Sequence, residues 1–369
     1  MVNVCEPDSP AQFTAFIKDH PRVAKSIVQL RLRGSYEHPG PPMNATILTS
    51  ILFQLPNLQQ LVLGDMRYDG TNAANVDPSA TTLAIGPVPN DRPFRLARFI
   101  LGFDTHERSL LPEIFRIISL FEVEELSLGF SDSFDIASAS DPFSLSLPLF
   151  VRSLEINQTI KSKEHAAVLF DALSAHLQPG VLRRLDVSVD SAGGIRGLQR
   201  LLSGAACSNL TYLDLKSKPQ IGHYGLRYGW LGHKDPLQYE WPSLDLASCP
   251  RLESLVLHVY AQNPPSDMPL CSAAAGIFLQ APPTLRCATL KIWHCPSKNL
   301  VNAKWLGLQA VAKALSIPSR LLRLEKLTVQ LQSDERNYEG AAEWYRATCE
   351  AAFSAVHAAG KLEVVRMRY

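Results

Sequence analysis

The sequence predicts an α/β protein in which one strand-and-helix unit is used many times over. Three observations carry this. The pattern apolar–x–x–apolar–x–apolar recurs eleven times in a chain of 369 residues. Segments between the copies carry apolar residues at helical spacing. The copies follow one another from Ile27 to Met367, so they cover nearly the whole chain.

In chain order, residues 1–26 form a helical cap, with Ser9 placed to cap a helix and Pro10 at its first position. IVQLRL (27–32) and LQQLVL (58–63) are the first two copies. A polar, Pro-containing insertion, 69–93, follows them. Next come LARFIL (96–101) and a helix in which Leu111, Ile114, Phe115 and Ile118 share a face. VEELSL (123–128) and VRSLEI (151–156) precede a second such helix, with Ala166, Phe170, Leu173 and Leu177 in line and Pro179-Gly180 ending it. LRRLDV (182–187) and LTYLDL (210–215) lead to the longest gap, which holds an insertion at 217–241. LESLVL (252–257), CATLKI (287–292), a stripe of Trp305, Leu308, Ala312 and Leu315, and LEKLTV (324–329) follow. A last stripe, Ala342, Tyr345, Cys349, Phe353 and Val356, stops at Gly360 before LEVVRM (362–367).

One such hexamer means little, because any half-buried strand alternates. Eleven in series follow the logic of leucine-rich repeats. Alternate residues of a short strand enter the core, and no unit can bury its apolar side unless neighbours stack. Strand-then-helix units joined in one sense require a parallel sheet with helices outside it. The expected fold class is therefore an α/β leucine-rich-repeat solenoid, a single domain over 1–369. It should be an irregular horseshoe with about eleven strands on the concave side and helices and loops on the convex side. The irregularity follows from spacing: the middle apolar residues run from Leu30 to Val365 in ten steps averaging 33.5 residues. Regular repeats are shorter, at about 20–29 residues. The Asn or Cys that follows the strand in regular repeats is also missing, with Ser35 and Met66 in its place.

Composition narrows the function classes. Hydrophobic residues make up 46% and charged residues 19%, ample for a core. Net charge is +1, from 36 basic and 35 acidic residues, which argues against nucleic acid as the partner. The seven cysteines are scattered without a C-x-x-C, as expected of free thiols in the reducing cytoplasm or nucleus. No secretory leader and no apolar run of bilayer length is visible, so no membrane partner is expected. The N-x-[ST] matches at Asn44, Asn157 and Asn209 are chance hits in that setting. G-x-S-x-G, H-E-x-x-H and G-x-G-x-x-G are absent, and the ten histidines lack metal-ligand spacing. The expectation is a binding protein with no enzyme activity, cofactor or metal.

Two stretches carry a family resemblance. SPAQFTAFIKDHPRVAKSIVQLRLRG, paired with ILTSILFQLPNLQQLVLGDMRY, resembles the repeat region of fungal F-box-type leucine-rich-repeat proteins, where a helix is followed by LPNL..L.L. The resemblance implies repeats that hold a substrate protein for a cullin ubiquitin ligase. It also implies a Skp-type adaptor, but only if an F-box lies upstream, because the 26 residues before Ile27 hold one helix pattern and no three-helix module. The alternative is a free-standing scaffold or adaptor unrelated to ubiquitin transfer. A hydrolase or regulator with catalytic groups on the insertions is remote.

Strand alternation puts the residues between the buried leucines on the concave face, where a protein partner would dock. The middle of that face is acidic, with Glu125, Glu155, Asp186 and Asp214, and Tyr212 and Trp293 are its aromatic residues. Tyr, Trp and Arg are the usual interface anchors. The expected contact patch is Glu155, Asp186, Tyr212, Asp214, Lys216, His258, Lys291 and Trp293. The same mixture also suits a surface that merely keeps the sheet soluble. The 217–241 insertion adds Tyr224, Tyr228 and Trp230, either as stacking groups for a ligand or as a loop packed on the scaffold. The last strand leaves an open sheet edge, with two expectations: Arg366 and Arg368 blunt it, or it pairs with a second chain in an edge-strand dimer.

Overall fold

The computed structural model describes residues 1–4, 9–34, 43–64, 66, 68, 94–103, 111–130, 145, 147–158, 163–189, 192–217, 244–260, 270–295, 303–333 and 339–367. Both expected insertions fall outside these residues, apart from Ser217. The chain divides into two compact units, residues 1–181 and 182–369. No described helix is long and apolar enough to cross a membrane.

The first unit holds six strands: β1 (Val2–Val4), β2 (Gln29–Arg33), β3 (Gln60–Gly64), β4 (Phe94–Phe103), β5 (Phe121–Phe130) and β6 (Phe150–Gln158). They pair in chain order and all in parallel. Their register aligns Leu30, Leu61, Phe99, Leu126 and Leu154, the middle apolar residues of five copies, in one buried row. β1 is a strand the leucine pattern does not contain. Val2 and Val4 pair with Leu30 and Leu32, so the expected helical cap is a strand followed by helices Ser9–Asp19 and Pro21–Ser26. Parallel neighbours need a crossover; helices Ala45–Leu52 and Leu111–Ser119 lie on such connections, and Lys163–His176 follows β6.

Helix caps tie these connections together. Asn44 accepts the Ile47 N–H at 2.9 Å through its side chain. The buried carboxylate of Glu113, from the helix two strands later, accepts the Ala45 N–H at 2.8 Å. Together they satisfy two of the amides that a helix start leaves unpaired.

The second unit repeats the scheme with β7 (Arg184–Val189), β8 (Tyr212–Ser217), β9 (Ser254–Tyr260), β10 (Cys287–Cys295), β11 (Lys326–Ser333) and β12 (Leu362–Arg366). Every neighbouring pair is again parallel. The buried row is Leu185, Leu213, Leu255, Ala288 and Leu327, with Leu362 at its end.

That row corrects two sequence alignments. In β10 the residue opposite Leu255 is Ala288, not Leu290, so the repeat reads Leu285, Ala288, Leu290, and Cys287 lies on the outer face. In β12, Leu362 rather than Val365 pairs with Leu327. A three-residue slide is odd, so it exchanges the two faces. Val364 follows Val329 inward, and Val365 is exposed.

Glycine sets the helix boundaries that periodicity blurred. The stripe from Trp305 to Leu315 is broken at Gly307, whose φ of 66° an L side chain resists, into helices Ala303–Leu306 and Leu308–Leu315. The last helical stripe divides at Phe353 and stops before Gly360, at φ 69°.

Arg320, on helix Pro318–Arg323, caps the end of another helix. Its guanidinium donates to the carbonyls of Phe278, Leu279 and Ala281, where helix Ser272–Gln280 ends. A cation at a helix C-terminus also suits the dipole. Arg320→Met keeps the stem and removes the fork. It is expected to cost about 1.5–3 kcal/mol, the range for hydrogen bonds to a charged group. Urea unfolding that matches the parent would show that these bonds contribute nothing.

Candidate functional site

Four adjacent strands of the second unit, β7–β10, bring the expected patch together. The register sets Asp186 beside Asp214, and in the next row Lys216, His258 and Lys291 side by side. Tyr212, Asp214 and Lys216 share the outer face of β8, because alternate residues of a strand point the same way. Trp293 follows Lys291 on that face of β10.

The centre is Asp214. Nε2 of His258 lies 2.9 Å from its Oδ1, and both side chains are nearly out of solvent, at 5% and 4% exposed. Its Oδ2 takes the Tyr212 hydroxyl at 3.5 Å, and Lys291 Nζ stands 3.8 Å away. Trp293 Nε1 donates to His258 Nδ1 at 2.9 Å. An indole N–H only donates, so His258 Nδ1 is the accepting nitrogen and Nε2 faces the carboxylate. The Nε2 to Oδ1 approach is close but poorly aligned, and neither atom completes a well-directed hydrogen bond.

Rings build the rest. Trp293 stacks on His258, with centroids 5.7 Å apart, and on Tyr260, at 6.0 Å. Arg184 lies 4.0 Å over the Tyr212 ring. Lys216 and Asp186 form a half-buried pair at 2.7 Å.

Titration follows this geometry. Burial alone would raise the Asp214 carboxyl. The His258 contact, then the charges of Lys291 and Lys216, outweigh it and hold the group below the ordinary carboxylate range. Burial, then the negative charge of Asp214, pushes the Tyr212 and Tyr260 phenols up.

The expected residues divide by environment. Asp214 and His258, expected on an open face, are buried. Tyr212, Asp214 and Lys216 meet His258, Lys291 and Trp293 in one cluster, with Asp186 joined through Lys216. Glu155 belongs to the first unit and there accepts from Asn157 Nδ2 at 2.7 Å. Tyr224, Tyr228 and Trp230 lie outside the described residues. Sequence reading omitted Tyr260, although it stands two residues beyond His258 on the same alternation.

No group of three metal-binding side chains occurs among the described residues. A shallow hollow of about 480 Å³ opens elsewhere, at the entrances to β9–β12, between Glu253, Arg286, Glu325 and Lys361. Arg286 is paired there with Glu325, and Lys361 Nζ donates to the Leu321 carbonyl at 2.8 Å. Cys207 and Cys249, each six residues before a paired leucine (Leu213 and Leu255), are buried thiols. Burial pushes both up, Cys249 to about 11, which leaves them unreactive.

Two outcomes follow. Maleimide is expected to label Cys207 and Cys249 only after unfolding, and rapid labelling of native protein would contradict their burial. The lowered Asp214 group contributes stability that is full above its unfolded-state value of about 3.9 and is lost as pH falls through its lower folded value. Asp214→Asn should therefore flatten the acid limb of thermal stability and cost about 3 kcal/mol at neutral pH, since it strips one partner from a buried pair. An unchanged acid limb would remove Asp214 from the electrostatic centre. The sequence matches no family model, and no curated protein is similar to it.

Proposed function

We propose that this chain is a leucine-rich-repeat interaction module that holds a protein partner on the outer sheet face of residues 182–369. One observation carries the reading. Tyr212, His258, Tyr260 and Trp293, with Arg184 above Tyr212, come from four strands into one packed cluster. Aromatic and arginine side chains already locked by their neighbours lose little entropy on docking, which is what makes interface anchors effective. The parallel ladder of short strands with buried leucines supports the repeat class.

The resemblance of the first two repeats to F-box-type proteins suggests that the partner is held for ubiquitin transfer. A free-standing scaffold is the other reading. Adaptor binding would require an F-box module, which these repeats do not supply. The chain is read as a binding protein, not an enzyme.

The test is affinity capture with quantitative mass spectrometry on the parent, Trp293→Ala and Tyr212→Ala, each checked for folding by circular dichroism. Loss of an anchor is expected to weaken one set of partners about tenfold or more. Co-capture of ubiquitin ligase subunits would favour turnover, and their absence a scaffold. Partner sets identical in all three proteins would refute the docking face.

A further inference from the structure

We propose that Lys291, beside Trp293, receives a carboxylate from an acidic segment of the partner protein. The inference rests on the reading of this sheet face as the docking surface and adds the chemistry of what docks.

The argument starts from charge pairing. The outer face of β7–β10 carries the cations Arg184, Lys216 and Lys291 against the anions Asp186 and Asp214. Even with His258, whose Nδ1 accepts the Trp293 N–H, left out of the sum, cations exceed anions by one among the described residues of this face. Lys216 is closed on Asp186 at 2.7 Å. Lys291 reaches Asp214 Oδ2 only at 3.8 Å, beyond hydrogen-bond length, while His258 Nε2 stands 2.9 Å from Oδ1.

Position completes the argument. The Lys291 side chain is 23% exposed, so the ammonium has lost part of its water without gaining a hydrogen-bonded anion. An incoming carboxylate restores that bond in a setting where screening is weak. Trp293, two residues along the same face, offers a ring for the residue next to the acid. Phosphates in a row fit poorly, since Asp186 and Asp214 lie one row away and repel extended negative charge. The occupant is a protein segment with Asp or Glu beside an aromatic or aliphatic side chain.

The experiment selects a phage-displayed random dodecapeptide library on the full chain. The enriched peptides, and their Glu→Gln and Asp→Asn versions, are then titrated against the parent, Lys291→Glu, Lys291→Gln and Trp293→Ala. The expected result is enrichment of acid–aromatic or acid–aliphatic pairs. Binding should fall about tenfold or more in Lys291→Glu, less in Lys291→Gln, and equally when the peptide acid is neutralised. Lys291→Gln keeps the test sound if the charge reversal fails to fold. Selection without acid enrichment, or neutralised peptides that bind as well, overturns the proposal. If Trp293→Ala abolishes binding while both Lys291 variants bind normally, the docking face stands and the acid recognition falls. If none of the variants matters, both fall. Tight binding of a single-stranded oligonucleotide that Lys291→Glu removes also overturns it.

Discussion

A single hydrogen-bonding device at the mouth of the sheet governs both units. At the start of a strand, two consecutive amides converge on one carbonyl of the preceding repeat. Gln59 and Gln60 donate to Val28, and Ala97 and Arg98 to Gln59. In the second unit, Thr211 and Tyr212 donate to Arg183, Glu253 and Ser254 to Thr211, Arg286 and Cys287 to Glu253, and Glu325 and Lys326 to Arg286. Gln59, Thr211, Glu253 and Arg286 are thus each both an acceptor from the next repeat and a donor to the one before. Buried amides have to be paired, and here the pairing fixes where each new strand begins relative to the last. Register, the buried leucine row and the composition of the outer face all follow from that starting point.

This explains why most of the fold was legible from leucine spacing and where it was not. Leucines that enter the core every repeat mark nine strands in correct register, because one face is fully buried and a wrong face would be costly. The exceptions have physical causes. In β10 the core position is Ala288, too small to stand out, so Leu290 looked like the centre of the repeat. In β12 no residue is fully buried, and Val364 and Val365 are equally apolar, so composition alone could not choose a face. β1 was invisible because three residues cannot display a period. Its pairing with β2 is a tertiary fact.

The candidate site was half legible. Alternation identified Tyr212, Asp214, Lys216, His258, Lys291 and Trp293 as residues of one face, and the register shows which of them touch. What sequence could not supply is height. Asp214 sits beneath Tyr212, His258 and Lys291, all of which reach it, so a position that alternation assigns to solvent is enclosed by taller neighbours. Nor does sequence reveal that Trp293 uses its indole proton on His258, the bond that makes Nδ1 the accepting nitrogen.

Stability alone does not account for such a cluster. A buried ion pair is roughly balanced by the cost of drying its members, and apolar residues of the same volume serve a fold at least as well. Here the pairing is also imperfect: Asp214 and His258 meet off-line, Ser188 Oγ is buried without a partner among the described residues, and Lys291 stands off at 3.8 Å. The inner face of the same strands shows what this chain does when only burial matters, with Leu185, Leu213, Leu255 and Leu327 fully enclosed. Polar groups on this face are rigidly held yet incompletely satisfied. On the function proposed above, a partner that supplied the missing contacts would gain from groups whose desolvation the folded chain has already met, which the leucine row behind them does not offer.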